Sequence, residues 1–130
     1  IDVYGEGKMR RDFTYIDDLV EGIVRLMDAV PERDRPVTAD GVTDSLSTVA
    51  PWRVVNIAGG DPVGLLDFIQ AIERATGITA NKNMLPMQQG DVTETFADAS
   101  LLKALTGFVP ATRVDEGVQR FVDWYADWSR

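Results

Sequence analysis

At 130 residues and 14.3 kDa the chain is one domain's worth of protein, with 45% hydrophobic and 26% charged residues, a soluble globular composition. It contains no His and no Cys, which excludes the usual zinc and iron–sulfur centres, a thiol nucleophile, a Ser-His-Asp triad and disulfides. Thirteen Lys and Arg against 21 Asp and Glu leave a net charge of −8, a balance that repels nucleic acid and anionic membrane alike.

No apolar stretch is long enough to span a bilayer and the first residues lack the layout of a signal peptide, so a soluble, cytoplasmic protein is expected. The chain opens at Ile1 without an initiator Met and directly in β-prone residues, as expected of a piece of something longer.

In chain order, Ile1 to Tyr4 and Phe13 to Ile16 read as two short strands joined by a glycine turn at Gly5-Glu6-Gly7. Asp18 and Glu21 have capping-box spacing, and Leu19, Val20, Ile23, Val24, Leu26, Met27 and Val30 recur at helical intervals behind them; a helix is predicted over 18–30. The stretch 31–51, with several prolines and no apolar period, is predicted to be a long flexible loop.

Arg53 to Ala58 reads as a buried strand. Asp61-Pro62 then supplies an N-cap and first-turn proline for a helix whose apolar face runs from Leu65 to Ala75 and which stops before Gly77. Ile78 to Leu85 is a weaker strand. Asp98 can cap a short helix closed by Gly107, and Thr112 a final helix with Val114, Val118, Phe121, Tyr125 and Trp128 on one stripe. The result is a mixed α and β chain without internal repeats.

Tyr4 and Lys8 have the Tyr-x-x-x-Lys spacing that places a phenol and an ammonium on one helical face, but the glycines between them make a helix improbable and the match is read as chance. Gly5-x-Gly7 begins a dinucleotide fingerprint but has Arg10 where the third glycine belongs, so a turn is the simpler reading. Gly59-Gly60 precedes a predicted helix and could face an anion, although Asp61 competes for the same N–H groups. Asp17-Asp18 is read as capping rather than acid–base chemistry. Arg10-Arg11 is either a solvated surface pair or, held on a strand, a bidentate phosphate ligand. The aromatic stripe of the last helix is read as core or interface packing.

Taken in order, Val3-Tyr4-Gly5-x-Gly7, Arg11-Asp12-Phe13-Thr14-Tyr15-Ile16-Asp17-Asp18, Val55-Asn56-Ile57, Gly90-Asp91-Val92 with Thr95, Ala97-Asp98 and a tryptophan-rich last helix resemble one family. It is the C-terminal, substrate-binding part of the NAD-dependent nucleotide-sugar epimerases and dehydratases, the extended short-chain dehydrogenase/reductases. The likeness is strongest to the UDP-glucuronate 4-epimerase branch, through Gly7-Lys8-Met9-x-Arg11-Asp12-Phe13 and Asn83-Met84-Leu85-Pro86-Met87-Gln88-x-Gly90-Asp91.

The resemblance implies an α/β fragment spanning 1–130, with the Rossmann domain, its NAD and the catalytic Tyr and Lys outside it. It implies UDP-sugar as the ligand, the Rossmann domain as partner, a homodimeric parent, and no activity for this chain by itself. By the same resemblance Arg11 grips the UDP diphosphate, Asn56 contacts the same region, Asp91 accepts ribose hydroxyls, and Val3 and Tyr4 flank the uracil. Gln88 stands where many relatives carry a second diphosphate arginine. A dTDP-glucose 4,6-dehydratase or UDP-glucuronate decarboxylase would share this frame, and a free-standing binding domain is the alternative of another class.

Overall fold

The structure, a computed structural model, describes all 130 residues. In chain order the elements are β1 (Asp2–Val3), one turn of 3-10 helix (Tyr4–Gly7), β2 (Arg10–Arg11), α1 (Ile16–Asp28), β3 (Val63–Gly64), α2 (Leu65–Thr76), β4 (Asn83–Met84), α3 (Ser100–Thr106) and α4 (Val114–Trp128). They form two compact units. The first comprises Ile1–Phe13, Asp61–Phe96 and Thr112–Arg130, the second Thr14–Gly60 and Ala97–Ala111.

In the first unit, β1 pairs in parallel with β4, Asp2 opposite Asn83 and Val3 opposite Met84, while β2 pairs antiparallel with β3, Arg10 opposite Gly64 and Arg11 opposite Val63. The two expected N-terminal strands therefore do not form a hairpin. Gly5, Glu6 and Gly7 all have positive φ, at 60°, 52° and 72°, and this left-handed stretch sends the strands on either side of it into separate ladders. Pairing falls on Arg10–Arg11 rather than on 13–16, because Phe13 stacks on Phe68 with centroids 4.2 Å apart and Ile16 already opens a helix.

Two further expectations shift for local reasons. Asp61-Pro62 does not cap α2, since Val63–Gly64 first pairs with β2 and the Leu65 N–H donates to the Met9 carbonyl at 2.8 Å. Of 78–85 only Asn83–Met84 is strand: Ala80 donates its N–H to Glu73 Oε1 at 2.8 Å and Lys82 pairs with the same carboxylate, which holds this stretch to α2. The α2 C-terminus matches its signal, Gly77 adopting φ 70° and donating to the Glu73 carbonyl. Helix α4 packs on α2 and buries Val118, while Phe121, Trp124, Tyr125 and Trp128 form an exposed ladder of neighbouring rings. Its N-cap is Arg113, one residue beyond the expected Thr112.

In the second unit α1 packs on α3. Helix α1 starts at Ile16, two residues before the expected cap. Asp17 and Asp18 occupy its first turn, where the helix dipole favours them, and Asp18 Oδ2 accepts the Ala111 N–H at 3.0 Å. Gly22 allows the close approach, for a Cβ there would lie 3.0 Å from Ile57. The face buried is narrower than the apolar period suggests. The partner helix has only 7 residues, and Val20, Ile23, Val24 and Met27 remain exposed.

Asp98 accepts the Ser100 N–H at 2.8 Å ahead of α3, and Gly107 ends that helix at φ 70°. Residues 53–58 form no strand, because the second unit contains no other strand to offer an edge.

The stretch 31–51 has no regular element, yet it is organised around Asp44. Its carboxylate accepts the Val37 N–H at 2.6 Å, the Leu46 N–H at 2.9 Å and Arg53 Nε at 2.9 Å. Burial pushes the Asp44 carboxyl up, but the Arg53 hydrogen bond, the two N–H groups and the Arg53 charge outweigh it and hold it below the ordinary 3.8.

A carboxylate whose pKa is depressed on folding stabilises the fold above its unfolded value, and that contribution is lost as pH falls through the folded one. Chemical denaturation below about pH 4 should therefore show stability falling with acid, with a shallower slope in Asp44→Asn. An identical slope in the variant would remove Asp44 from the acid response.

Candidate functional site

Strand β2 gives its two arginines different work. Arg10 is the lock: its N–H donates to Thr93 O at 2.9 Å, its carbonyl accepts from Thr95 N–H at 3.2 Å, and its guanidinium pairs with Glu94 at 3.2 Å and donates to Pro62 O. It fixes β2 between β3 and the segment 93–95. Arg11 is held differently. Nη1 donates to Arg10 O at 2.8 Å and Thr93 O at 3.4 Å, and Nη2 to the Met9 thioether at 3.4 Å.

All the acceptors of Arg11 are neutral. Its permanent charge is oriented but not cancelled, in a chain of net charge −8. A half-buried guanidinium in this state favours an anion with two acceptor oxygens, where charge-assisted hydrogen bonds are stronger than those it makes to carbonyls.

Gln88 and Asp91 are the ends of one exposed turn. The Asp91 N–H donates to Gln88 O at 3.2 Å, and Gly90 has φ 92°, the conformation a glycine supplies at the third position of such a turn. Two residues on, Thr93 reaches Arg11. Val3 is buried on β1 and Tyr4 opens the 3-10 turn; the Leu85 N–H donates to Val3 O at 2.9 Å, so 83–87 lies alongside both before the Gln88 turn begins.

Val3, Tyr4, Arg11, Gln88 and Asp91 therefore share the first unit. Asn56 belongs to the second, where its side-chain N–H donates to Asp98 O at 3.2 Å. Met9 and Thr93, which orient Arg11, had no signal of their own in the sequence beyond adjacency to Arg10-Arg11 and Gly90-Asp91.

The alternative motifs resolve into structural roles. Tyr4 to Gly7 is a kinked 3-10 turn, and Lys8 pairs with Glu6 at 2.6 Å, so Tyr4 and Lys8 do not share an α-helical face. Gly5 and Gly7 do not fit a dinucleotide cradle. A Cβ on Gly7 would lie 2.7 Å from the Leu66 side chain, so that approach is already taken, and no helix opens behind the turn. Gly59-Gly60 leads into β3 rather than a helix start.

The family model described as GDP-mannose 4,6 dehydratase matches residues 2–121. A probable UDP-glucuronate 4-epimerase of Rhizobium meliloti is 59% identical over 125 residues, covering 96% of this chain and 37% of that protein. UDP-glucuronate 4-epimerase 4 of Arabidopsis thaliana is 33% identical, covering 94% of this chain and 27% of that protein. The crystal structure of UDP-glucuronic acid 4-epimerase from Bacillus cereus, in complex with UDP-glucuronic acid and NAD, superposes with a TM-score of 0.72 at 27% identity, over 98% of this chain and 35% of that one.

The chain belongs to the GDP-mannose 4,6 dehydratase family, a group of NAD-dependent nucleotide-sugar epimerases and dehydratases. It spans about a third of the length of the curated relatives it matches.

The turn ahead of β2 is the weak point of this arrangement. Gly7→Ala combines positive φ with a clash against Leu66, and should cost about 2 kcal/mol or more of stability in chemical denaturation. A loss under about 0.5 kcal/mol would show that the turn and Leu66 relax freely.

Proposed function

We propose that this chain is the nucleotide-sugar-binding part of a UDP-glucuronate 4-epimerase, acting together with an NAD-binding part outside these 130 residues. The observation that carries the proposal is the Arg11 guanidinium, fixed on β2 by neutral acceptors with its charge uncompensated. Arg11 takes the diphosphate. Asp91, exposed at the end of the Gln88–Asp91 turn, accepts the ribose hydroxyls, and Val3 and Tyr4 form the strand end beside the uracil.

Gln88 replaces a second diphosphate arginine with a neutral amide, which leaves Arg11 the main cationic contact. The resemblance also assigns Asn56 a polar contact to the nucleotide sugar. The identity to a probable UDP-glucuronate 4-epimerase supports this branch over the dehydratases and decarboxylases of the same frame.

In this reading the chain binds and orients, and the transfer of hydride and proton belongs to the remainder of the enzyme, in a subunit that is homodimeric and cytoplasmic. In the enzyme containing this chain, Arg11→Ala should weaken UDP-glucuronate binding by about 1.5–3 kcal/mol in titration calorimetry, the range for hydrogen bonds to charged groups. Unchanged affinity would remove Arg11 from the site. The purified 130-residue chain should not interconvert UDP-glucuronate and UDP-galacturonate with NAD added. Turnover by the pure chain would overturn the assignment of the chemistry to residues outside it.

A further inference from the structure

The guanidinium of Arg11 is held unevenly. Nη1 donates to two backbone carbonyls, Arg10 O at 2.8 Å and Thr93 O at 3.4 Å, whereas Nη2 donates only to the Met9 thioether, at 3.4 Å. Nε makes no hydrogen bond within the chain and is not buried. Because the group is planar, Nε–H and one Nη2–H point the same way, and this side-on edge can meet two oxygens of a phosphate in parallel. The only acceptor those two nitrogens have is a sulfur, which accepts weakly.

That sulfur is also free to give way. The Met9 backbone is fixed, its carbonyl accepting the Leu65 N–H at 2.8 Å, and its side chain lies buried against Gly5. A Cβ on Gly5 would come 3.1 Å from Met9 Cγ, 3.6 Å from its Sδ and 3.6 Å from Met87 Cε, so the thioether is bordered by a bare glycine and a second unbranched side chain. An unbranched thioether adjusts by rotation about its own bonds without moving the backbone. The carbonyls on Nη1 have no such freedom, because they belong to β2 and to the segment 93–95 bonded to it. All of these residues lie in the first unit.

We infer that Met9 is a placeholder for the diphosphate: its sulfur keeps the Arg11 side chain oriented in the free protein, and on binding Nη2 passes from the sulfur to a phosphate oxygen. Nε takes a second oxygen, and Nη1 stays on its carbonyls. One weak hydrogen bond is exchanged for two charge-assisted ones, and no proton is transferred. Met9 is thus a positioning residue that does not touch the ligand. This rests on the assignment of the diphosphate to Arg11 made above.

The test uses the enzyme containing this chain and reads the Kd for UDP by calorimetry. Met9→Leu fills the same space without an acceptor and should change the Kd less than about twofold. Met9→Gln offers Nη2 an amide oxygen that competes with phosphate, and should weaken binding about fivefold. A thioether serving as a fixed support would give the reverse order, with the loss in Met9→Leu. The unsubstituted enzyme, labelled with methyl-13C methionine, gives a second readout by NMR. The Met9 methyl resonance, assigned by its loss in Met9→Leu, should shift at saturating UDP together with the Arg11 Nε–H, and neither should shift with uridine.

A loss of about fivefold or more in Met9→Leu, or an unchanged Kd in Met9→Gln, would overturn the placeholder. So would a Met9 methyl that ignores saturating UDP while the Arg11 Nε–H responds. An Arg11 Nε–H that ignores saturating UDP would instead overturn the placement of the diphosphate, and the placeholder with it.

Discussion

The proposed nucleotide-sugar site depends on one guanidinium being held in place without being neutralised. An arginine in a protein of net charge −8 has many carboxylates to choose from, and an exposed ion pair forms at a small net gain of about 0–1 kcal/mol. Arg10, its neighbour on the strand, makes such a pair with Glu94. Arg11 is kept from doing so by its attachments to Arg10 O, Thr93 O and Met9 Sδ. Those acceptors exist only because β2 is pinned on one side by β3 and on the other by 93–95. The left-handed turn at Gly5–Gly7, packed against Leu66, delivers the chain to that strand in the right register.

The two buried or strand-held arginine arrangements therefore do opposite things with the same chemistry. Arg53 spends its fork on Asp44, where the partner is depressed in pKa and the bond is consumed in ordering a loop that lacks regular structure. Arg11 keeps its fork facing neutral groups that bind it more weakly than an anion would, which is what a reversible ligand site requires. The −8 charge of the chain sharpens the contrast, since Arg11 is a strand-held cation whose acceptors are all neutral in a chain rich in carboxylates.

Much of this was legible in the residues. The helices announced themselves by period, and their C-terminal glycines at 77 and 107 mark their ends through an αL conformation that other residues adopt at a cost. The helix starts were less legible. Asp18 and Asp61 are good capping residues by type, but the backbone around each is decided by tertiary pairing, Asp18 to Ala111 and Val63–Gly64 to β2, while α4 simply starts one residue after the expected Thr112, behind an extended Arg113.

Strands of two residues are set by distant partners, so the β-prone stretches 13–16 and 53–58 had no local means of revealing that no partner waits for them. The family motif singled out Arg11 and Asp91 as expected ligand contacts, and the positive φ of Gly90 explains why glycine precedes that aspartate. Nothing in the sequence pointed to Met9 and Thr93 as the acceptors that orient Arg11, or to the pairing of Asp44 with Arg53 across a proline-rich loop. A contact between side chains at unpatterned positions leaves no periodic trace.

The most direct test of the uncompensated guanidinium is to watch it. The side-chain Nε–H resonance of Arg11, assigned by its loss in Arg11→Lys, can be followed by NMR as UDP and then uridine are added. The account predicts a clear shift and slowed exchange of that resonance with UDP and almost none with uridine, because only UDP carries the diphosphate proposed to meet Arg11. An Arg11 resonance that ignores UDP, while resonances elsewhere in the chain respond to it, would contradict the central claim.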